Sequence, residues 1–436
     1  MSANSGSEVI RSIITESNEE RGLSMFEERI LIIAVKSNKQ TEDRFQSSLE
    51  ELISLGKTAG GTVEKVVTQK RNRIHPATYI GEGKIAEIKE VIDTEEIDLV
   101  ISNDELSAGQ MRNLTDYLGV RIIDRSQLIL DIFAMRARTK EGKLQVELAQ
   151  LEYMLPRLHG QGVAMSRLGG GIGTRGPGET KLESDRRHIS RRIYDIKRRL
   201  KLVVNQRDQY RKRRKHNDVF QIAIVGYTNA GKSTLFNRLT KSDSLEENLL
   251  FATLDPLTRK ISLPSGFELL ITDTVGFLQE LPTSLIASFR STLEEVTESD
   301  FLLHVVDGSD PDQAQQQDTV NRLLEDLGAQ NLPMLTLYNK KDLGTDDFFP
   351  MNHPYMRISA YDEDDINKVL KKIEKMLQEE WEDYKVVLNP ENGRLINNLT
   401  TETIIKDKAF DEEKNSYVIR GFIRQDHSLT SLLKEQ

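Results

Sequence analysis

Between residues 29 and 137, short apolar runs alternate with segments whose apolar positions recur at helical spacing. Residues 30–35, 63–67, 99–102 and 120–124 read as buried strands. Residues 41–55, 84–95, 107–118 and 126–137 read as the helices between and after them. Continuous apolar strands joined through helices by short loops predict a parallel sheet covered by helices. Two longer helical patterns follow. Leu144, Leu148, Leu151 and Leu155 form one seam of 3.5-residue period, and Ile189, Ile193, Ile196, Leu200 and Val203 form another. Two such seams predict an antiparallel hairpin. A second α/β alternation starts at 220, with strands at 220–225, 267–272, 301–306 and 334–338 and helices at 232–240 and near 366–377. The last 55 or so residues hold Trp381, a helical stretch at 394–405 and a strand at 417–423, and read as a small α/β appendage.

The expected organisation is a polar, acidic, disordered tail at 1–25 and an N-terminal parallel-sheet α/β domain at 26–140. A helical hairpin at 141–217 follows, with a glycine-rich tip at 159–178, then a second α/β domain at 218–380 and the appendage at 381–436. A chain of 436 residues accommodates that many cores. No run approaches the ~20 apolar residues of a membrane span, and no basic-then-apolar leader opens the chain. The absence of cysteine excludes disulfides, thiol catalysis and cysteine-ligated zinc, and fits a reducing cytoplasm.

Charge changes this picture. The net charge of −9 argues against a polyanionic partner, but residues 186–215 carry fourteen Lys/Arg and two Asp, a local +12 that leaves −21 on the rest. A positive rod on an acidic body suits one polyanionic partner. Arg186, Arg187, Arg191, Arg192, Arg198 and Arg199 then have two readings, a solvated coiled-coil face or a surface for RNA phosphates. The loop at 159–178 holds eight glycines with Met165, Ser166, Arg167 and Arg175. It is either a linker or a tip whose bare backbone approaches RNA while the two arginines pair with phosphates. Its Gly-x-Gly-x-x-Gly pattern follows a helix rather than a strand, so it is not a dinucleotide fingerprint. Gly81, Glu82, Gly83 and Lys84 are either a tight turn starting a helix or a phosphate-binding turn.

Residues 218–380 carry five short motifs in order. Gly226, Tyr227, Thr228, Asn229, Ala230, Gly231, Lys232, Ser233 and Thr234 form a Gly-x4-Gly-Lys-Ser loop between a strand and a helix. Such a loop wraps phosphates with backbone N–H groups at the positive end of a helix, and its glycines allow close approach. Lys232 is placed to neutralise the β- and γ-phosphates, and Ser233 to give a hydroxyl to Mg²⁺. Asp273, Thr274, Val275 and Gly276 follow a strand, with Asp273 on the metal side and the Gly276 N–H at the γ-phosphate. Phe251, Ala252, Thr253, Leu254 and Asp255 span a first switch, with Thr253 a further Mg²⁺ ligand. Asn339, Lys340, Lys341 and Asp342 select guanine, because a carboxylate at Asp342 accepts both N1–H and the N2 amine, donors that adenine lacks. Ser359 and Ala360 support the base from the far side. GTP and GDP are the expected ligands, with Lys232, Thr253, Gly276 and Asn229 the catalytic candidates. Phe277 stands where many switch GTPases carry a water-orienting glutamine, so intrinsic hydrolysis is expected to be slow. Asn229 has two readings: it resembles the asparagine of GTPases that bind K⁺ where an arginine finger acts, or it satisfies local backbone groups.

DRSQLILDIFA at 124–134, LQVELAQL at 144–151, LPRL at 155–158 and SRLGGGIGTRGPGET at 166–180 lie outside the generic GTPase motifs. On these stretches and the five motifs, the chain resembles the HflX family of bacterial translation GTPases over most of its ordered length. The resemblance implies a GTPase that binds the 50S subunit and its 23S rRNA and dissociates stalled or idle 70S ribosomes. The alternative is an anti-association or maturation factor that occupies the large subunit, with GTP timing its departure. A monomer in the cytoplasm is expected in either case. The resemblance also implies that the glycine-rich tip reaches toward the peptidyl-transferase region. The family's N-terminal domain has been linked to ATP and RNA remodelling, although residues 29–137 contain no standard phosphate loop. Ala108 replaces a proline common in the family, and Leu257 a threonine; neither position is a metal or guanine position.

Overall fold

Residues 30–35 are buried along β1 (Arg29–Ser37), as the inner strand of a helix-covered sheet must be. In this computed structural model, the described residues are 28–38, 40–158, 177–216, 218–241, 250–251, 255–279, 293–344 and 350–434. The tail at 1–25, nearly all of the glycine-rich loop with Met165, Ser166, Arg167 and Arg175, and Ala252, Thr253 and Leu254 lie outside them. The chain forms two compact units, one within 1–131 and the other comprising 132–158 and the chain from 164 onward.

In the first unit β1 pairs in parallel with β2 (Thr62–Arg71) and β3 (Leu99–Ser102), and β3 with β4 (Arg121–Asp124), in the order β2-β1-β3-β4. Leu31, Ile33 and Val35 of β1 pack with Ile88, Val100 and Leu114 in one apolar cluster. The connecting helices are α1 (Glu42–Thr58), α2 (Glu82–Glu95) and α3 (Ala108–Leu118), and α4 (Arg125–Arg136) follows β4. Ser107 and Gln110 form a reciprocal capping box at the start of α3, an arrangement that stabilises a helix by about 1 kcal/mol. The turn at 81–84 starts a helix, as both of its readings require. Gly81 is the N-cap of α2, its N–H donates to Gln69 Oε1 at 2.9 Å, and Lys84 pairs with Glu87.

The second unit begins with the helical hairpin. Helices α5 (Lys140–Arg157) and α6 (Pro177–His216) meet along Leu148, Leu151, Ile189, Ile193 and Ile196, the seam expected from the period. Glu141 pairs with Arg207 at 2.9 Å and Glu152 with Lys197 at 2.8 Å, a sequence of partners that makes the pair antiparallel.

The sheet that follows has the order β10-β9-β8-β5-β7-β6. Its strands are β5 (Gln221–Gly226), β6 (Leu257–Ser262), β7 (Glu268–Asp273), β8 (Phe301–Asp307), β9 (Met334–Asn339) and β10 (Tyr355–Arg357). Only the β6–β7 pair is antiparallel. One face is covered by α7 (Lys232–Thr240) and α9 (Glu363–Glu380), through Leu235, Phe236, Val369 and Ile373. The other carries α8 (Gln313–Asp326), through Val320, Leu323 and Leu324. The appendage is a three-stranded antiparallel sheet, ordered β11 (Glu382–Leu388), β13 (Ser416–Ile423), β12 (Ile404–Asp411), with α10 (Gly393–Glu402) and α11 (Leu429–Lys434). The helix expected to reach 405 stops at Glu402, and Ile404 already belongs to β12. Among the described residues no helix is long and apolar enough to cross a membrane.

Candidate nucleotide site

Four of the motifs lie at the carboxyl ends of β5, β7, β9 and β10, where ligands of open α/β sheets bind, and the fifth, at Thr253, lies outside the described residues. The loop 226–233 leaves β5 and enters α7. Gly226 has φ of 151°, and a side chain there would run into the Val305 carbonyl. Gly231 has φ of 93° and lies against the Asn339 amide. Both positions therefore need glycine for conformation and for space.

Lys232 is buried, and Nζ donates to the Tyr227 carbonyl at 2.6 Å. Burial lowers its pKa to about 8, against the opposing pull of Asp273. An anionic phosphate beside this ammonium would favour the charged form. Ser233 Oγ donates to Asp273 Oδ2 at 2.8 Å. A hydroxyl and a carboxylate at one point are hard oxygen donors, which suits Mg²⁺. Phosphate and water oxygens would complete such a shell. Thr274 Oγ1 is turned to the Ile224 carbonyl at 2.6 Å, a bond within the sheet.

Gly276 lies directly against this corner. A Cβ there would come within 2.9 Å of Lys232 Nζ and 2.8 Å of Thr228 Cγ2. Phe277 next to it is joined to the phosphate loop by backbone bonds, its N–H to Gly226 at 3.1 Å and its carbonyl from the Thr228 N–H at 2.8 Å. Its ring is 1% exposed, in the cluster with Val225, Leu302 and Val320. Tyr227 holds the same corner, its hydroxyl accepting the Gln279 N–H at 2.8 Å, while Gln279 accepts from Gln315 at 2.8 Å. Phe277→Gln would bury an amide and empty part of that cluster. We expect it to destabilise the chain by about 3 kcal/mol, read by urea denaturation, without raising the intrinsic hydrolysis rate.

At the other end of the site, Asn339 ties three motifs together. Its Nδ2 donates to the Ala230 carbonyl and its Oδ1 accepts the Ala360 N–H, both at 2.9 Å. Lys340 pairs with Asp307 at 2.6 Å. Lys341 is held protonated by its hydrogen bond to Asp365, with Asp362 adding to it. Asp365 also accepts the Ser359 N–H at 2.9 Å. Between these anchored neighbours Asp342 stands exposed. Asn229 is exposed as well, with φ of 60°. The anchors Asp307, Asp365, Gln279 and Gln315 carry no motif signature, and their roles appear only when the loops are brought together.

Two residues assigned to the pocket face elsewhere. Phe251 packs on Phe133, and Asp255 accepts hydrogen bonds from residues 138–139. The arm is also divided. Arg186, Arg187, Arg191, Arg198 and Arg199 are exposed. Arg192, assigned to RNA with them, instead grips Glu147 of α5 through Nε at 2.6 Å and Nη2 at 2.8 Å. That bidentate bond raises its pKa and removes two of its donors from any outside partner. Tyr194, unnoticed in the sequence, is 68% exposed on the same helix, three residues after Arg191 and four before Arg198.

Loops of this kind, tied at one end by a lysine and a carboxylate and open at the other to a base, define a P-loop GTPase. Residues 46–134 match a family model described as GTP-binding GTPase N-terminal, 136–214 one described as GTP-binding GTPase Middle Region, and 221–340 one described as 50S ribosome-binding GTPase. The GTPase HflX of Alkalihalophilus pseudofirmus is 53% identical over 410 residues, 94% of this chain and 97% of that protein. The chain belongs to the HflX family of GTPases and hydrolyses GTP. The Escherichia coli K12 relative is 42% identical over 362 residues, covering 81% of this chain and 85% of its own. A crystal structure of a GTP-binding protein from Sulfolobus solfataricus in complex with GDP is similar over 79% of this chain and 99% of that one, at 24% identity and a TM-score of 0.43.

Proposed function

We propose that this GTPase binds the large ribosomal subunit through the basic face of α6 and dissociates stalled or idle 70S particles in its GTP form, hydrolysis then releasing it. The observation that carries the reading is the arm itself. Five exposed arginines lie on a rod of local charge +12 in a chain whose remainder is −21. A charge separation of this size steers the rod toward a polyanion and holds the body away from it. The description of the model matched by 221–340 supports a ribosomal partner, and the setting is the cytoplasm.

In the pocket, the backbone of 226–233 receives the phosphates, Lys232 neutralises them, and Gly276 senses the γ-phosphate. Ser233, Asp273 and Thr253 are the residues that would hold Mg²⁺, which when bound would supply positive charge against that of the phosphates. Asp342 reads guanine. Asn229, exposed at the phosphate loop with φ of 60°, serves as a K⁺ ligand beside the phosphates in this reading. Equal hydrolysis rates in potassium and sodium buffers, with large subunits present, would remove that role.

Pelleting with ribosomal subunits tests the function. Binding to 50S is expected with GMPPNP, to be weaker with GDP, to be absent with ATP, and to fall steeply with salt. Pre-formed 70S particles should separate in GMPPNP. Particles that stay intact at saturating protein would reduce the activity to occupation of free large subunits, and equal pelleting in every nucleotide would defeat the coupling.

A further inference from the structure

The start of a helix and the residues leading into it present unpaired N–H groups at the positive end of the helix dipole, where a carboxylate is stabilising. At the start of α5 that carboxylate comes from the nucleotide-binding half of the unit. Asp255 Oδ2 accepts the N–H groups of Arg138 at 3.0 Å and Thr139 at 2.9 Å, and Oδ1 accepts the Thr139 hydroxyl at 2.5 Å. Thr139 is the N-cap of α5, and its Oγ1 in turn accepts the Gly142 N–H at 2.9 Å. Gly142 leaves room for this approach, since a Cβ there would strike Asp255 Oδ1. Four residues before Asp255, the ring of Phe251 meets Phe133 edge-on, with centroids 4.5 Å apart. In the first turn of α5, Glu141 continues the chain of contacts to Arg207 on the basic helix at 2.9 Å.

Phe251 and Asp255 each stand two residues from Thr253, the switch threonine. First switches of GTPases are ordered by the γ-phosphate and its metal and released on hydrolysis. With two residues on either side there is little slack, at most ~7 Å of extended chain. We propose that Asp255 and Phe251 are positioning residues that fasten the first switch to the base of the helical arm, so that the nucleotide bound and the order of the first turn of α5 are linked. Linkage is reciprocal, so a partner that holds the arm also shifts the preference between GTP and GDP. The inference rests on reading 250–255 as the first switch, and stands whether or not the arm's partner is a ribosome.

Hydrogen exchange on the full-length protein, saturated with GDP or with GMPPNP, tests it. In the wild type, exchange of amides in 138–146 is expected to differ about fivefold between the two nucleotides, the change that gaining or losing one cap produces. Asp255→Ala and Thr139→Val should each erase the difference, Thr139→Ser should keep it, and the Asp255→Ala/Thr139→Val double variant should add nothing. Circular dichroism and GDP affinity establish that each variant is folded. A difference that survives Asp255→Ala overturns the link. So does a nucleotide response in 250–258 with none in 138–146. If neither segment responds, the switch assignment is wrong and the link goes with it.

Discussion

Asp342→Asn is expected to weaken GTP binding roughly a thousandfold, the loss of two hydrogen bonds to a charged acceptor at about 2 kcal/mol each. Xanthosine triphosphate should recover most of it. Xanthine carries a carbonyl where guanine carries the N2 amine, so the asparagine amide donates where the carboxylate accepted. The geometry makes this a clean exchange. Asn339, Lys340 and Lys341 are each fixed by their own partners, at Ala230 and Ala360, at Asp307, and at Asp362 and Asp365. The exposed Asp342 side chain therefore changes chemistry without removing a support of the fold, and stability should move by less than about 0.5 kcal/mol. Titration with fluorescent guanine and xanthine nucleotides decides it. If GTP binding is unaltered, or if xanthosine triphosphate binds no better to the variant than to the wild type, base recognition lies elsewhere.

The same site shows where sequence reading succeeds and where it stops. Inner strands such as β1, β3 and β8 were legible because both faces are covered, and the residues become uniformly apolar. β6, with residues Leu257 to Ser262, went unrecognised because it is an edge strand with Arg259 and Lys260 exposed, and nothing in its pattern exceeds loop polarity. β12 escaped for a related reason. Ile404 and Ile405 continue the apolar spacing of α10, and only Thr403, in extended conformation, ends the helix before them. Helix α8 is glutamine-rich and buries just one stripe. In the pocket, the phosphate-loop and guanine motifs are legible because they are local and their spacing is set by the ligand. Tyr227 with Gln279, Asp307 with Lys340, and Asp255 with Thr139 are not, since each joins segments distant in sequence. Charge alone also misassigned Arg192, because the hairpin partner that claims it lies 45 residues away.

That distinction among the arginines sets the largest effect expected of the arm. If α6 is the ribosomal surface proposed above, replacing Arg186, Arg187, Arg191, Arg198 and Arg199 together by alanine is expected to weaken large-subunit binding roughly a thousandfold near physiological salt. The slope of log affinity against log salt should shrink by about one for each phosphate left without its arginine. Arg192→Ala should behave differently. Its guanidinium is committed to Glu147 in a half-exposed ion pair, so the hairpin loosens by about 1 kcal/mol or less while the salt slope stays near that of the wild type. Tyr194→Ala separates a third effect. An exposed ring between Arg191 and Arg198 is placed to stack on an unpaired base, and removing that stacking lowers affinity about tenfold without touching the slope. Filter binding or pelleting across four salt concentrations, with GDP affinity as the check on folding, distinguishes the three. If the five-arginine variant retains the wild-type slope, α6 is a solvated face and the polyanion is held by another part of the chain. If Arg192→Ala flattens the slope as much as any exposed arginine does, the ion pair with Glu147 opens on binding, and the arm is read by the partner in a different conformation.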